Sequence, residues 1–271
     1  MKVAALQMVS GPDRGSNLAH ALDLLQQAAN AGAELAVLPE YFSAMGQHER
    51  DKLALAEPFG QGPVQDFLAR AARDLGLWIV GGTLPLACGD AQRVRNTSLA
   101  YSPAGTCAAR YDKIHLFRFE RGAEQYDEGR TIEAGAAPVQ LHLPSRDGHT
   151  WCVGLSVCYD LRFPELYRQH ARAGADLLLV PSAFTYTTGQ AHWELLLRAR
   201  AVENQAFVLA AAQGGTHDNG RRTWGHSMAI DPWGSVLAVQ AQGAGVVLAD
   251  LQPDRVHEVR TQLPALQHRR L

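Results

Sequence analysis

Cys158 lies between the apolar run Val153-Gly154-Leu155-Ser156-Val157 and a segment of helical character, where a strand gives way to a helix. A thiol at such a junction feels the partial positive charge of helix-terminal N–H groups, which favours the nucleophilic thiolate. A sharp turn there also places the backbone N–H of Tyr159 where it can share a developing oxyanion. Alone, Cys158 reads as a core residue, because free cysteines are among the most buried side chains. Glu40 and Lys113 change that reading. Glu40 follows Leu38-Pro39, where a buried strand ends, a favoured place for chemistry. Lys113, in Tyr111-Asp112-Lys113-Ile114-His115, stands just past a hairpin. Each of these charges taken singly is an ordinary solvated residue. The case rests on the three together.

The elements that must position them follow from periodicity. Short aliphatic runs alternate with longer segments of helical period, the pattern of an α/β layered domain. Residues 3–9 read as a first strand, and Ser16 as the cap of a helix whose Leu18, Leu22, Leu25 and Ala29 share one face. The run 35–38 is a buried strand. Pro63 suits the first turn of a helix, and 78–80 begins another strand. Residues 99–101 and 106–111 flank the turn Ser102-Pro103-Ala104-Gly105 and deliver Lys113. In the second half, 151–157, 177–180, 207–211, 226–230 and 236–239 read as strands, with helices over 163–173 and 192–204. The stretch 122–145 is the least regular and is expected to form an active-site flap.

Composition narrows the function classes. The 271 residues are 46% hydrophobic and 19% charged with net charge −2, which fits a single domain over 1–271. Lys and Arg form no basic stripe, so nucleic acid is not an expected partner. No apolar run approaches the ~20 residues that span a bilayer, and the N-terminus lacks the pattern of a signal peptide, so a membrane is not expected and a cytoplasmic setting is. Cys88, Cys107, Cys152 and Cys158 show no metal-ligand spacing, and no metal or organic cofactor is expected. Cys152, Cys88 and Cys107 read as structural. His226-Ser227 and Gly214-Gly215 offer no GxSxG elbow or phosphate-loop pattern. Arg162 reads as an ion-pair partner of nearby Asp160 and Glu165, with a substrate carboxylate as the alternative. On the segment carrying Trp193, Leu196, Leu197 and Arg200, the apolar members pack and the arginine faces a partner or solvent.

The motifs Pro39-Glu40-Tyr41-Phe42, Lys113-Ile114-His115-Leu116-Phe117 and Cys158-Tyr159-Asp160-Leu161-Arg162-Phe163-Pro164-Glu165 occur in that order. Together they resemble the nitrilase, or carbon–nitrogen hydrolase, superfamily. The likeness continues through Pro181-Ser182-Ala183-Phe184, Ala191-His192-Trp193-Glu194 and Asp231-Pro232-Trp233-Gly234, so it spans nearly the whole chain. It implies a four-layer α-β-β-α sandwich, paired into a homodimer or higher homo-oligomer, with a Glu-Lys-Cys site. It also implies a second glutamate between the Lys and Cys motifs, placed at Glu128, with Glu120 and Glu124 as alternatives. Tyr159, Phe184 and Thr185 are the candidate substrate contacts. The expected activity is cysteine-dependent hydrolysis of a small anionic amide to acid plus ammonia through a thioester. Within the superfamily the chain looks most like the deaminated glutathione amidase branch. The alternatives are an ω-amidase acting on 2-oxoglutaramate or 2-oxosuccinamate, and a non-catalytic small-molecule-binding dimer.

Overall fold

The computed structural model describes residues 1–122 and 124–270. In chain order the first half runs β1 (Lys2–Gln7), α1 (Arg14–Asn30), β2 (Leu35–Val37), α2 (Asp51–Ala54), α3 (Pro63–Leu75), β3 (Trp78–Val80), β4 (Leu84–Ala87), β5 (Val94–Tyr101) and β6 (Cys107–Asp112). A hairpin of β7 (Arg118–Arg121) and β8 (Glu124–Asp127) leads into the second half. There follow β9 (Gln140–Pro144), β10 (Thr150–Leu155), α4 (Pro164–Arg172), β11 (Leu177–Leu179), α5 (Tyr186–Asn204) and β12 (Phe207–Ala210). The chain closes with β13 (Ser227–Ile230), β14 (Val236–Gln240), β15 (Gly245–Asp250) and α6 (Pro253–Gln262).

The strands form two large sheets. The first has the order β15-β1-β2-β3-β5, with β4 and β6 both paired to β5. The second has the order β14-β13-β12-β11-β10-β9. Each has a parallel centre, β1-β2-β3 in one and β10-β11-β12 in the other, flanked by antiparallel strands.

Strand β1 shows the layering residue by residue. Val3 and Ala5 enter a cluster with Trp151, Val153 and Leu178 of the second sheet, whereas Ala4 and Leu6 join Leu24 and Leu25 of α1 and Leu68 of α3. Side chains alternate across a strand, so both faces of the first sheet are covered, one by helices and one by the other sheet. On the far side, Leu166 of α4 and Trp193 and Leu197 of α5 pack against the second sheet. This is the α-β-β-α sandwich that the resemblance implied.

Several local expectations are corrected. Asp13, not Ser16, caps α1: its carboxylate accepts the Ser16 N–H at 2.7 Å, so Ser16 already lies within the first turn. Helix α5 begins six residues before 192 and carries Gly189 in its first turn, where any Cβ would stand 2.2 Å from the Trp224 Cβ. The supposed flap is partly regular: β8 pairs with β7, a short turn of 3-10 helix covers Glu128–Arg130, and β9 joins the second sheet. Charged residues at most hairpin positions hid its strand character from a reading of apolar period. Strand β10 ends at Leu155, and a 3-10 turn over Cys158–Arg162 separates Cys158 from α4, so the thiol does not sit at that helix's N-terminus.

Candidate active site

The first sheet supplies the turn bearing Glu40 and the segment bearing Lys113, and the separate β7-β8 hairpin supplies the turn bearing Glu128. Glu40 follows β2 by three residues, and the chain end of β3 passes so close that a Cβ on Gly82 would stand 1.9 Å from the Pro39 carbonyl oxygen. Gly82 also holds φ +45°, so glycine is required there twice over. Lys113 immediately follows β6, and its backbone is pinned by bonds from its N–H to Asn96 O and from Gly135 N–H to its carbonyl. Glu128 opens the 3-10 turn after the hairpin.

These three side chains meet in the interior. The Lys113 ammonium donates to Glu40 Oε1 at 2.9 Å and to both Glu128 oxygens at 3.0 and 2.8 Å, with Lys113 and Glu40 each 1% exposed. The remaining carboxylate lone pairs are also engaged. Glu40 accepts from Asn96 Nδ2 and from the Ala183 N–H, both at 2.9 Å. Glu128 accepts from the Tyr41 hydroxyl at 2.9 Å and the Phe117 N–H at 2.7 Å. Burial works against the lysine's charge, but Glu128 and Glu40 outweigh it and hold the ammonium's pKa above its ordinary value. Burial likewise works to raise the Glu128 pKa, and Lys113 overrides it, so this carboxyl stays below its usual range. Glu120, exposed on β7, and Glu124, which accepts from Thr187 Oγ1 at 3.2 Å, do not reach the cluster.

Cys158 enters from the second sheet. Its φ is +48°, a left-handed conformation unusual for a residue with a side chain, and its N–H is held by Pro181 O at 3.0 Å. The thiol is 7% exposed. Contrary to the helix-terminus expectation, its pKa is raised well above the usual thiol value: burial is the largest cause, and Glu40 adds to it, while Lys113 acts in the other direction. The raised pKa favours the protonated thiol, and Cys158 and Glu40 line one cavity.

Asp160 ties the two halves together. One oxygen accepts from the His115 N–H at 3.0 Å and lies 2.7 Å from His115 Nδ1; the other accepts from the Tyr111 hydroxyl at 2.7 Å and the Val157 N–H at 2.8 Å. The turn bearing Cys158 is thus fastened to the segment bearing Lys113.

The carbon–nitrogen hydrolase family model matches residues 2–261. The chain belongs to this family. A deaminated glutathione amidase from Synechocystis sp. is 43% identical over 268 residues, 98% of this chain and 97% of that protein. The crystal structure of Saccharomyces cerevisiae Nit3, a member of branch 10 of the nitrilase superfamily, aligns with a TM-score of 0.88 at 30% identity, covering 100% of this chain and 97% of that one. An amidase from Nesterenkonia sp. AN1, in a mutant whose active-site cysteine has added to acrylamide, aligns with a TM-score of 0.78 at 28% identity over 97% of this chain and 98% of that one. The chain is an amidase by these relationships.

In this carbon–nitrogen hydrolase a small cavity stands over Cys158, lined among others by Glu40, Glu128, Tyr159, Phe184, Thr185 and Arg221. It brings together all three candidate substrate contacts. Tyr41, Asn96, Phe117, Thr188 and Arg221 also reach the cluster or its cavity, and the sequence alone does not mark them as site residues. Tyr41 carried one available signal, its place directly after Glu40; Arg221, on the loop before β13, carried none. Arg162 is corrected: its guanidinium lies 5.9 Å from the Tyr159 ring centroid and 5.4 Å from that of Phe184, and approaches His192 Nδ1 at 3.3 Å, rather than pairing with Asp160 or Glu165. Arg200 is corrected too. It is buried, donating to Leu161 O at 3.0 and 2.6 Å, because the 3-10 turn leaves that carbonyl to be satisfied by a side chain.

Proposed function

We propose that this amidase works through Cys158 as nucleophile, with Glu40 as proton carrier, Lys113 as oxyanion stabiliser and Glu128 as the group that holds Lys113, and that its substrate is deaminated glutathione. The observation that carries the mechanism is the Lys113 ammonium gripped between Glu40 and Glu128 beside a protonated thiol. As the sulfur bonds to the amide carbon, Glu40 takes its proton, and the new oxyanion is met by the Lys113 ammonium and the Tyr159 N–H. The C–N bond then breaks, and the departing nitrogen takes the proton from Glu40, leaving a thioester. Water, deprotonated by Glu40, adds to the thioester carbon. The C–S bond breaks and the proton returns to sulfur.

The substrate assignment is supported by the name of the Synechocystis relative and by its near-complete coverage of this chain. It refines one expectation. Deaminated glutathione carries a substituted amide, so the amine released is cysteinylglycine; ammonia is released only from a primary amide such as 2-oxoglutaramate. Both substrates give 2-oxoglutarate, which makes that product the proper common readout. The test is to measure 2-oxoglutarate from each amide with the wild-type protein and with Cys158→Ala. Turnover of deaminated glutathione that vanishes in Cys158→Ala supports the proposal. Preference for 2-oxoglutaramate moves the assignment to the ω-amidase reading, and binding without turnover of either moves it to a non-catalytic binding protein. The homodimer is supported by apolar side chains left open on one face of α5 and beside it, Leu195, Val202 and Trp233 at 67%, 49% and 53% exposure.

A further inference from the structure

A second chamber opens beside the cavity over Cys158 and shares Phe117, Glu128 and Arg221 with it. Its volume of about 370 Å³ falls within the range of small-ligand pockets. The two halves of an amide leave the reacting carbon in different directions, and the walls differ accordingly. Phe184, Thr185 and Thr188 line the small cavity alone, whereas Tyr41, Glu124 and Tyr126 line the chamber alone. The small cavity, at about 10 Å³, cannot hold both halves of a substituted amide, so the half that varies between amides, the amine, is assigned to the chamber beyond Glu128.

Arg221 stands at the junction. Its Nη2 donates to Ala183 O at 2.9 Å, its Nη1 has only the Met45 sulfur at 4.0 Å, and its Nε is buried without a partner. The guanidinium lies 5.2 Å from the Tyr126 ring centroid. Among the described residues no carboxylate pairs with it, whereas the chamber's Lys52 is engaged by Glu49 at 2.8 Å. A guanidinium with unspent donors on the wall of a cavity suits a carboxylate, to which arginine binds through two parallel N–H groups.

We propose that the chamber is the subsite for the leaving amine, and that Arg221 recognises a carboxylate on that amine, making the enzyme selective for N-substituted, carboxylate-bearing amides over primary amides. This rests on the amidase mechanism proposed above. Deaminated glutathione and 2-oxoglutaramate share the acyl group and the thioester, and differ only in what enters the chamber. The experiment compares kcat/KM for the two, read as 2-oxoglutarate formed, in wild type, Arg221→Met and Arg221→Lys. The expected result is that the ratio favouring deaminated glutathione falls roughly 10–100-fold in Arg221→Met, the worth of a charge-assisted hydrogen bond, with partial recovery in Arg221→Lys. A parallel fall for both substrates, or an unchanged ratio, overturns the assignment. If wild type turns over neither amide, the mechanism fails first, and the subsite is then decided by titrating deaminated glutathione into Cys158→Ala with and without Arg221→Met. Equal affinity there rejects Arg221 as the recognition group, and a 10-fold or greater loss upholds it.

Discussion

Replacing Asp160 by Asn changes one oxygen to an NH2 group and leaves the shape of the side chain intact, so it isolates the clamp between the two halves of the site. Each Asp160 oxygen faces one donor that can adapt and one that cannot. On one side the His115 ring can change tautomer, but the His115 backbone N–H at 3.0 Å cannot reverse; on the other the Tyr111 hydroxyl can rotate, but the Val157 N–H at 2.8 Å cannot. Whichever way the Asn amide is turned, one backbone N–H, the buried one of Val157 or the half-buried one of His115, meets a donor. An orphaned buried donor costs about 1–3 kcal/mol, and at about 2–4 °C per kcal/mol for a chain near this size the melting temperature should fall by roughly 2–12 °C. The Cys158 turn and the Lys113 segment also lose their shared anchor, and misplacement of ~1 Å at a reacting centre costs about 100-fold in rate. Scanning calorimetry and steady-state turnover measure the two effects. An Asp160→Asn protein melting within about 1 °C of wild type and retaining its kcat would refute the reasoning; a loss of turnover without a loss of stability would show that Asp160 acts on Cys158 through charge rather than position.

Lys113→Met should leave Glu40 and Glu128 buried without their cation, lowering stability by about 3–5 kcal/mol and turnover by about 10²–10³-fold. The sign with pH follows from the shifts. In wild type the depressed Glu128 pKa contributes stability that is present above the ordinary carboxylate range and is lost only as pH falls through the depressed value. In the variant burial dominates and raises that pKa, so the melting-temperature gap between the two proteins should narrow as pH is lowered from about 8 to about 5; a constant gap counts against the buried triad. The Cys158 thiol, held up by burial and by Glu40, should react with iodoacetamide at a rate still rising above about pH 9. Glu40→Gln, by removing a negative neighbour, should move that curve to lower pH, and an unmoved curve removes Glu40 from contact with the thiol.

Much of the scaffold was readable because buried parallel strands and helices of amphipathic period write themselves into apolar spacing: 78–80 and the helix from Pro63 are found where expected. Glu40 and Lys113 were readable for a related reason, since each directly follows an apolar strand signal. The rest is non-local. Asn96 and Asp160 act through partners 56 and 45 residues away, and Arg221 reaches the site from a loop whose only local pattern is Gly, Asn and Asp. The sense of the Cys158 shift was missed because a helix-terminus argument concerns one neighbour, whereas burial and an adjoining carboxylate are properties of the assembled sheets. Helical period places Arg200 outward, because it cannot see that a carbonyl at Leu161 requires a donor.

The backbone of Cys158, at φ +48°, has a consequence for the durability of the protein. A side chain in this region costs about 1–2 kcal/mol relative to an ordinary conformation. Glycine at 158 would relieve that cost, offset in part by the greater freedom of a glycine in the unfolded chain. On the mechanism proposed above, relieving this strain with glycine would also remove the nucleophile. The thiol is thus held in a backbone shape that costs the fold stability, so Cys158→Gly and Cys158→Ala should differ in melting temperature while both lose turnover.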